Sequence, residues 1–260
     1  STLFPYTTLF RSVPAVLPAG RAGDTAPTLR VPVGSLLLLG TAALFVSVAQ
    51  IPHRGPAVAG LLVAALVLVA LFLVVERRTT GPTVLPPSTF RPGPLKWIYL
   101  TMTVLMCATM VDMYVPLFGQ RLAHLPPMAA GFLGAALAVG WTVSEVVSAS
   151  LSSRRVIAAV VAVAPAVTAV GLAVAALTQV EDAPPRVVAV WVAALLIAGV
   201  GIGMAWPHLA AWAMTCVADP AEGSVAAAAI NTVQLVAGAF GAGLAGIVVN
   251  NADRDATGAG

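Results

Sequence analysis

Seven apolar runs, each at least 19 residues long and separated by short segments rich in proline and charge, limit what this chain can become. They cover 33–51, 55–75, 97–119, 128–151, 156–179, about 187–212 and about 224–250. A helix that crosses a bilayer needs about 20 predominantly apolar residues. These runs are too long for strands, and together they leave nothing polar to cover a water-facing surface. Only 9% of the residues are charged, against about 25% in an ordinary soluble domain. The predicted fold class is therefore all-α, a polytopic transmembrane bundle of about seven helices. Its solvent is the lipid bilayer, and its location is a cell membrane, crossed several times.

Prolines mark the connections: Pro52 and Pro56, Pro82 to Pro94, Pro126 and Pro127, Pro184 and Pro185, and Pro220. Loop cations set the orientation, because Lys and Arg accumulate on the cytoplasmic side. One side holds Arg21, Arg30, Arg77, Arg78, Arg91, Lys96, Arg154 and Arg155, and the other holds Arg54, Arg121, Arg186 and Arg254. The first set is predicted to be cytoplasmic, and the loop with Glu181 and Asp182 to face outward. A net charge of +3, scattered along the chain, argues neither for nucleic acid nor for an acidic partner. Cys107 and Cys216 lie in apolar runs and read as packing residues.

Residues 2–12, TLFPYTTLFRS, match the translation of a sequencing adapter residue for residue. They are set aside from the fold, with the expectation that the natural protein begins upstream of Val13.

Ionisable groups inside a membrane span are costly and are functional candidates by default. There are two acids, Asp112 in the third run and Glu145 in the fourth. Counted along helices of opposite direction, they fall on opposite sides of the membrane midplane, so a paired-carboxylate site is not expected. Either one singly is a candidate proton carrier, since a carboxyl withdrawn from water can load and release a proton. The alternative is a carboxylate that reaches a wet interface. Asn231 and Gln234 share a face of the seventh run at spacing i, i+3, at a depth similar to Glu145. They are candidate cavity or substrate residues; the competing reading is interhelical glue.

The sixth run holds Gly199, Gly201 and Gly203, then Trp206, Pro207 and His208. The glycines and Pro207 are candidate packing or hinge positions, and Trp206 is a candidate cavity residue. The glycine spacing, GxGxG with no strand before it, does not suit a dinucleotide. No cofactor and no metal is predicted. His208 reads as an interfacial or capping histidine, and Gly238, Ala242 and Gly246 as a packing ridge. The fifth run, whose only polar interior residue is Thr168, reads as a peripheral, lipid-facing helix.

Several stretches resemble the major facilitator superfamily, in its 14-helix drug:proton antiporter branch. FLVVERRTTGPTVLPPSTF at 72–90 is similar to that family's link into its C-terminal bundle. VPLFGQRLAHLPPMAAG at 115–131 is similar to its "lPlylQ…spl.aG" turn. GIGMAWPHL at 201–209 and DPAEGSVAAAAINTVQLVAGAFGAGLAG at 219–246 resemble its last pair of helices but one. The resemblance covers nearly all of 33–250 and corresponds to helices 7 to 13 of fourteen. It implies a cytoplasmic segment at 13–32, two linker helices at 33–76, a cytoplasmic loop at 77–96, an incomplete five-helix bundle at 97–250 and a truncated tail at 251–260. It also implies that Asp112, Glu145, Asn231 and Gln234 lie on helices bordering a central cavity, opposite an N-terminal bundle missing from this chain.

The function expected is proton-coupled efflux of small organic compounds or drugs by alternating access, with protons and a small-molecule substrate as partners. An uptake system or metabolite exporter of other specificity is the alternative. A seven-helix retinal receptor would need a lysine in its last helix, and the sole lysine, Lys96, precedes the third run. An enzyme is not expected, for no HExxH and no His cluster occurs; His53, His124 and His208 are scattered.

Overall fold

The structure, a computed structural model, describes residues 31–52 and 55–257, the side chains of 251–257 excepted. The adapter-like segment and nearly all of 13–32 lie outside the described residues. So do His53, Arg54 and the side chain of Arg254.

From Pro32 on, the described chain is helical: α1 (Val33–Val48), α2 (Gly55–Arg78), α3 (Leu95–Thr109), α4 (Val115–Ala123), α5 (Pro127–Ala149), α6 (Arg154–Leu177), α7 (Pro185–Thr215) and α8 (Gly223–Thr257). Proline sets most of the starts. Pro32, Pro94, Pro126 and Pro184 occupy the N-cap position, and Pro127 and Pro185 open their helices. There the missing N–H costs nothing, since the first turn has no partner for it.

Among the described residues six spans are long and apolar enough to cross a membrane: four are single helices, one is formed by α3 and α4 together, and one runs from the 3-10 turn Pro220–Glu222 into α8. The first expected run, 33–51, folds as the 16-residue α1, about 24 Å at 1.5 Å per residue. That is short of the ~30 Å hydrocarbon core. The third expected run, 97–119, is not one continuous helix. It lengthens to Leu95–Ala123 and is interrupted at Met110–Tyr114 by a 3-10 segment. The last helix passes the expected limit at 250 and continues to Thr257.

Helix α7 is the axis of the assembly, packed between α5 and α6, while α8 packs on α3 and α1. Close approach needs small residues, and they stand where the helices touch. A Cβ at Gly199 would overlap the Leu137 carbonyl of α5, and one at Gly203 the Trp141 carbonyl. Gly201 turns to the other side, against Ala164 and Thr168 of α6. The expected ridge on α8 is displaced: Gly241 abuts Cys107, Gly243 abuts Val46 and Gly246 abuts Gln50, whereas Gly238 only grazes Met110 at 3.8 Å. Helix α6 has one-sixth of its apolar window covered (17%, against 44% for α7), as a peripheral helix should. Outward positions are apolar, among them Leu66, Phe132 and Leu177.

Two sets of loops come together at opposite ends. At one end the Leu122 carbonyl accepts from the Ala183 N–H at 2.8 Å, and His124 Nε2 lies 2.7 Å from Asp182 Oδ1. At the other, the Ser88 N–H donates to Glu222 Oε2 at 3.0 Å and the Ala218 N–H to Ser88 Oγ at 2.8 Å. This second end carries Arg77, Arg78, Arg91 and Lys96 and is called the basic face below.

Candidate functional site

Asp112 sits within the 3-10 interruption, and Pro116 accounts for the break. Proline has no N–H to give the carbonyl four residues back, and its ring crowds that carbonyl. Here that carbonyl belongs to Asp112, which receives the Val115 N–H instead, one residue earlier. The side chain of Asp112 is half-buried and points toward α5. A Cβ at Gly134 would lie 3.7 Å from Asp112 Oδ1 and 3.2 Å from Pro116 Cγ. Asp112 Oδ1 is buried and has no hydrogen-bond partner among the described residues. A buried carboxyl oxygen without a partner is expensive in any solvent, and it stands at the one place where this span leaves α-helical geometry.

Glu145 has a different environment. Its Oε2 accepts from the Trp141 indole N–H at 2.9 Å, one turn back on α5. The Trp141 ring is tilted against Trp206 of α7, with centroids 5.9 Å apart and planes at 58°. Trp206 is buried. The structure thus brings Glu145, Trp141 and Trp206 into one group spanning α5 and α7. It does not join Asn231 or Gln234 to them: Asn231 is exposed and Gln234 half-buried on α8, and neither is hydrogen-bonded to Glu145.

Pro207 lies inside α7 without interrupting it. It deprives the Gly203 carbonyl of an N–H; at the next carbonyl along, that of Met204, Ser148 Oγ of α5 donates at 2.6 Å. The same oxygen is 3.0 Å from His208 Nε2. With the hydroxyl proton committed to Met204, the His208 tautomer that fits carries its proton on Nε2 and donates to Ser148. His208 is therefore a buried strut between helices, not an interfacial or capping residue. Gly199, Gly201 and Gly203 are contact points.

Pro116 and Ser148 did not stand out in the sequence. A proline four residues after an embedded acid was a readable sign of the break. Nothing local marks Ser148, whose importance depends on which helix faces Pro207.

The profile of the Major Facilitator Superfamily matches residues 31–242. Two proteins named as probable multidrug-efflux transporters, from two strains of Mycobacterium tuberculosis, are each 64% identical to this chain over 245 residues. The aligned region is 92% of this chain and 52% of each relative, so the chain spans about half the length of the curated relatives it matches. No solved structure matches it significantly. With a family profile that spans most of its helices, this multi-pass membrane chain belongs to the Major Facilitator Superfamily.

Proposed function

We propose that this chain forms the C-terminal part of a proton-coupled exporter of small organic compounds, and that Asp112 is its proton-carrying group. The observation that carries the proposal is the partnerless Asp112 Oδ1 at the 3-10 break. A charged carboxylate there is poorly solvated, while the neutral acid is tolerated, so proton binding and release alter the stability of the local packing. A 3-10 segment between two α-helices is a place where a small change in backbone geometry moves one half-helix against the other. Together these let protonation at Asp112 bias which side of the membrane the cavity opens to, which is what alternating access requires.

Glu145, Trp141 and Trp206 supply the complementary surface. A carboxylate steadied by an indole N–H, with two aromatic rings beside it, suits an amphipathic organic cation. The name of the M. tuberculosis relatives, probable multidrug-efflux transporters, agrees with that class of cargo. Asn231 and Gln234 face the same task from α8 only if an N-terminal bundle closes the cavity, which is part of the proposal.

The test is dye efflux from proteoliposomes containing the complete transporter, driven by an imposed proton gradient. Asp112→Asn is expected to abolish gradient-driven efflux while leaving downhill dye exchange intact. Glu145→Gln is expected to weaken dye binding and keep the coupling. Gradient-driven efflux at the wild-type rate in Asp112→Asn would remove Asp112 from the mechanism.

A further inference from the structure

Helix α2 packs on α1 and, near its end, on the 3-10 turn Pro87–Phe90, leaving a cavity of about 680 Å³ between itself, α3 and α8. That volume falls inside the ~300–1,000 Å³ range of small-molecule sites. Its walls are apolar along most of their length, with Phe72 and Leu73 on α2, Leu100 on α3 and Val236 and Phe240 on α8. Its lining includes Thr103, Cys107 and Thr232 deeper in, and its charged groups lie at the basic face. Arg77 and Lys96 both line it there, both are exposed, and neither forms an ion pair among the described residues. Thr89 lines the same end; it is 7% exposed, and its Oγ1 is buried without a hydrogen-bond partner.

We propose that this cleft holds one anionic phospholipid of the adjoining leaflet, with an acyl chain in the cavity and the phosphate beside Arg77 and Lys96. The depth fits. On α3 the lining runs from Lys96 to Cys107, which at 1.5 Å per residue is roughly 16 Å. That is about half of a ~30 Å hydrocarbon core, the share of one leaflet. The charge fits as well. Two cations without carboxylate partners at the membrane surface attract an anionic headgroup, and Lys96 is held over the Trp97 ring at 5.5 Å, at the level of an interfacial aromatic. A neutral apolar occupant would satisfy the walls and leave both cations without an anionic partner. The site is separate from Asp112 and from the Glu145 group, so it stands or falls independently of the coupling mechanism.

The experiment uses the complete transporter, purified in detergent, delipidated and reconstituted in nanodiscs of phosphatidylcholine. A trace of phosphatidylglycerol or of phosphatidylcholine, each with a photoreactive acyl chain, is then added. Phosphatidylglycerol is expected to label the cavity wall, around Leu100 and Phe240, and to be retained roughly 10- to 30-fold better than phosphatidylcholine, the contribution of two surface cations. Arg77→Gln with Lys96→Gln is expected to remove that preference, while Arg154→Gln with Arg155→Gln, elsewhere on the basic side, leaves it in place. Val236→Trp, which narrows the cavity without touching a charge, is expected to abolish labelling of the wall. Equal labelling by both lipids, labels confined to the outer surface of α6, or a preference that survives the loss of Arg77 and Lys96 would each overturn the proposal. So would protection of the cleft by a neutral amphiphile as effectively as by phosphatidylglycerol.

Discussion

Pro116 stands four residues after Asp112, and the span abandons α-helical geometry between them. Both side chains face Gly134 of α5. The acid, the residue that breaks its helix and the glycine that leaves room for both make one local unit. An uninterrupted helix would hold Asp112 in a fixed register against α5. The break takes that carboxyl out of the α-helical register.

Restoring the missing N–H should close the break. In Pro116→Ala, α3 and α4 are expected to merge, since an interior proline costs a helix about 3 kcal/mol. Amide exchange across residues 113–115 should slow by at least ~10-fold, corresponding to about 1.4 kcal/mol. Proton-driven efflux by the complete transporter should fall in the same variant. Unchanged exchange would mean that something other than Pro116 maintains the 3-10 segment.

The glycines of α7 make a sharper prediction, because the structure separates those that touch backbone from those that touch nothing. Gly199→Ala places a methyl against the Leu137 carbonyl and should force α5 and α7 apart, at about 1–3 kcal/mol. Gly60→Ala, on a helix position with nothing within 4 Å, should be neutral or stabilising by up to about 1 kcal/mol. Unfolding by a denaturing detergent, followed by tryptophan fluorescence, reads both. Equal effects would show that glycine acts here only through helix propensity.

Membrane topology was legible because it depends on composition over 20-residue windows. The two acids were legible because a charge in such a window is rare. Pairing was not. The polar faces of α5 and α8 could be placed at a common depth by counting residues, yet Glu145 goes to Trp141 and the α7 face, while Asn231 and Gln234 ride on a helix that packs on α1 and α3. Depth follows from 1.5 Å per residue; which face meets which helix follows from tertiary packing. The break at Asp112 was within reach, since Pro116 lies inside an apolar run, but proline inside a span can also be absorbed, as Pro207 is. Beside Pro207, Ser148 of α5 donates to the Met204 carbonyl, one residue after the Gly203 carbonyl that the proline deprives.

That interhelical bond can be removed. Ser148→Ala deletes the donor to the Met204 carbonyl and the partner of His208 Nε2 together. Interhelical hydrogen bonds in membranes contribute about 0.6 kcal/mol on average and about 1.7 at most, and here two are lost, so a cost of about 1–3 kcal/mol is expected. Ser148→Thr retains the hydroxyl and should cost less. If Ala and Thr behave alike in detergent unfolding, packing rather than hydrogen bonding is what Ser148 contributes.

Glu76 governs the loop on the basic face. Its carboxylate is buried at the end of α2, and Oε2 accepts from the Val84 and Leu85 N–H groups at 2.9 and 2.8 Å. Both donors lie in the segment that leads to Ser88 and so to Glu222 on the far loop. Glu76→Ala leaves two buried N–H groups without a partner, about 1–3 kcal/mol apiece, and should release the loop. Trypsin is expected to cut after Arg78 at least ~10-fold faster, on the scale of one such loss. Glu76→Gln keeps an acceptor oxygen and should stay resistant. Wild-type cleavage rates in Glu76→Ala would show that the Ser88–Glu222 contact holds the loop unaided.

The opposite face offers a prediction in which two small effects have opposite signs. His124 and Asp182 are both exposed, and both have a positive φ, 49° and 50°. Their contact at 2.7 Å is an exposed pair, worth about 0–1 kcal/mol. The left-handed backbone at His124 costs a side-chain-bearing residue about 1–2 kcal/mol, and glycine avoids that cost. What joins the two loops more firmly is the Leu122 carbonyl with the Ala183 N–H, which no side chain provides. His124→Gly should therefore leave stability unchanged or raise it by about 1 kcal/mol despite losing the pair, and Asp182→Asn should shift it by less than about 0.5 kcal/mol. A marked loss in His124→Gly, with Asp182→Asn reproducing it, would show that this exposed pair, and not the backbone bond, fastens the two loops.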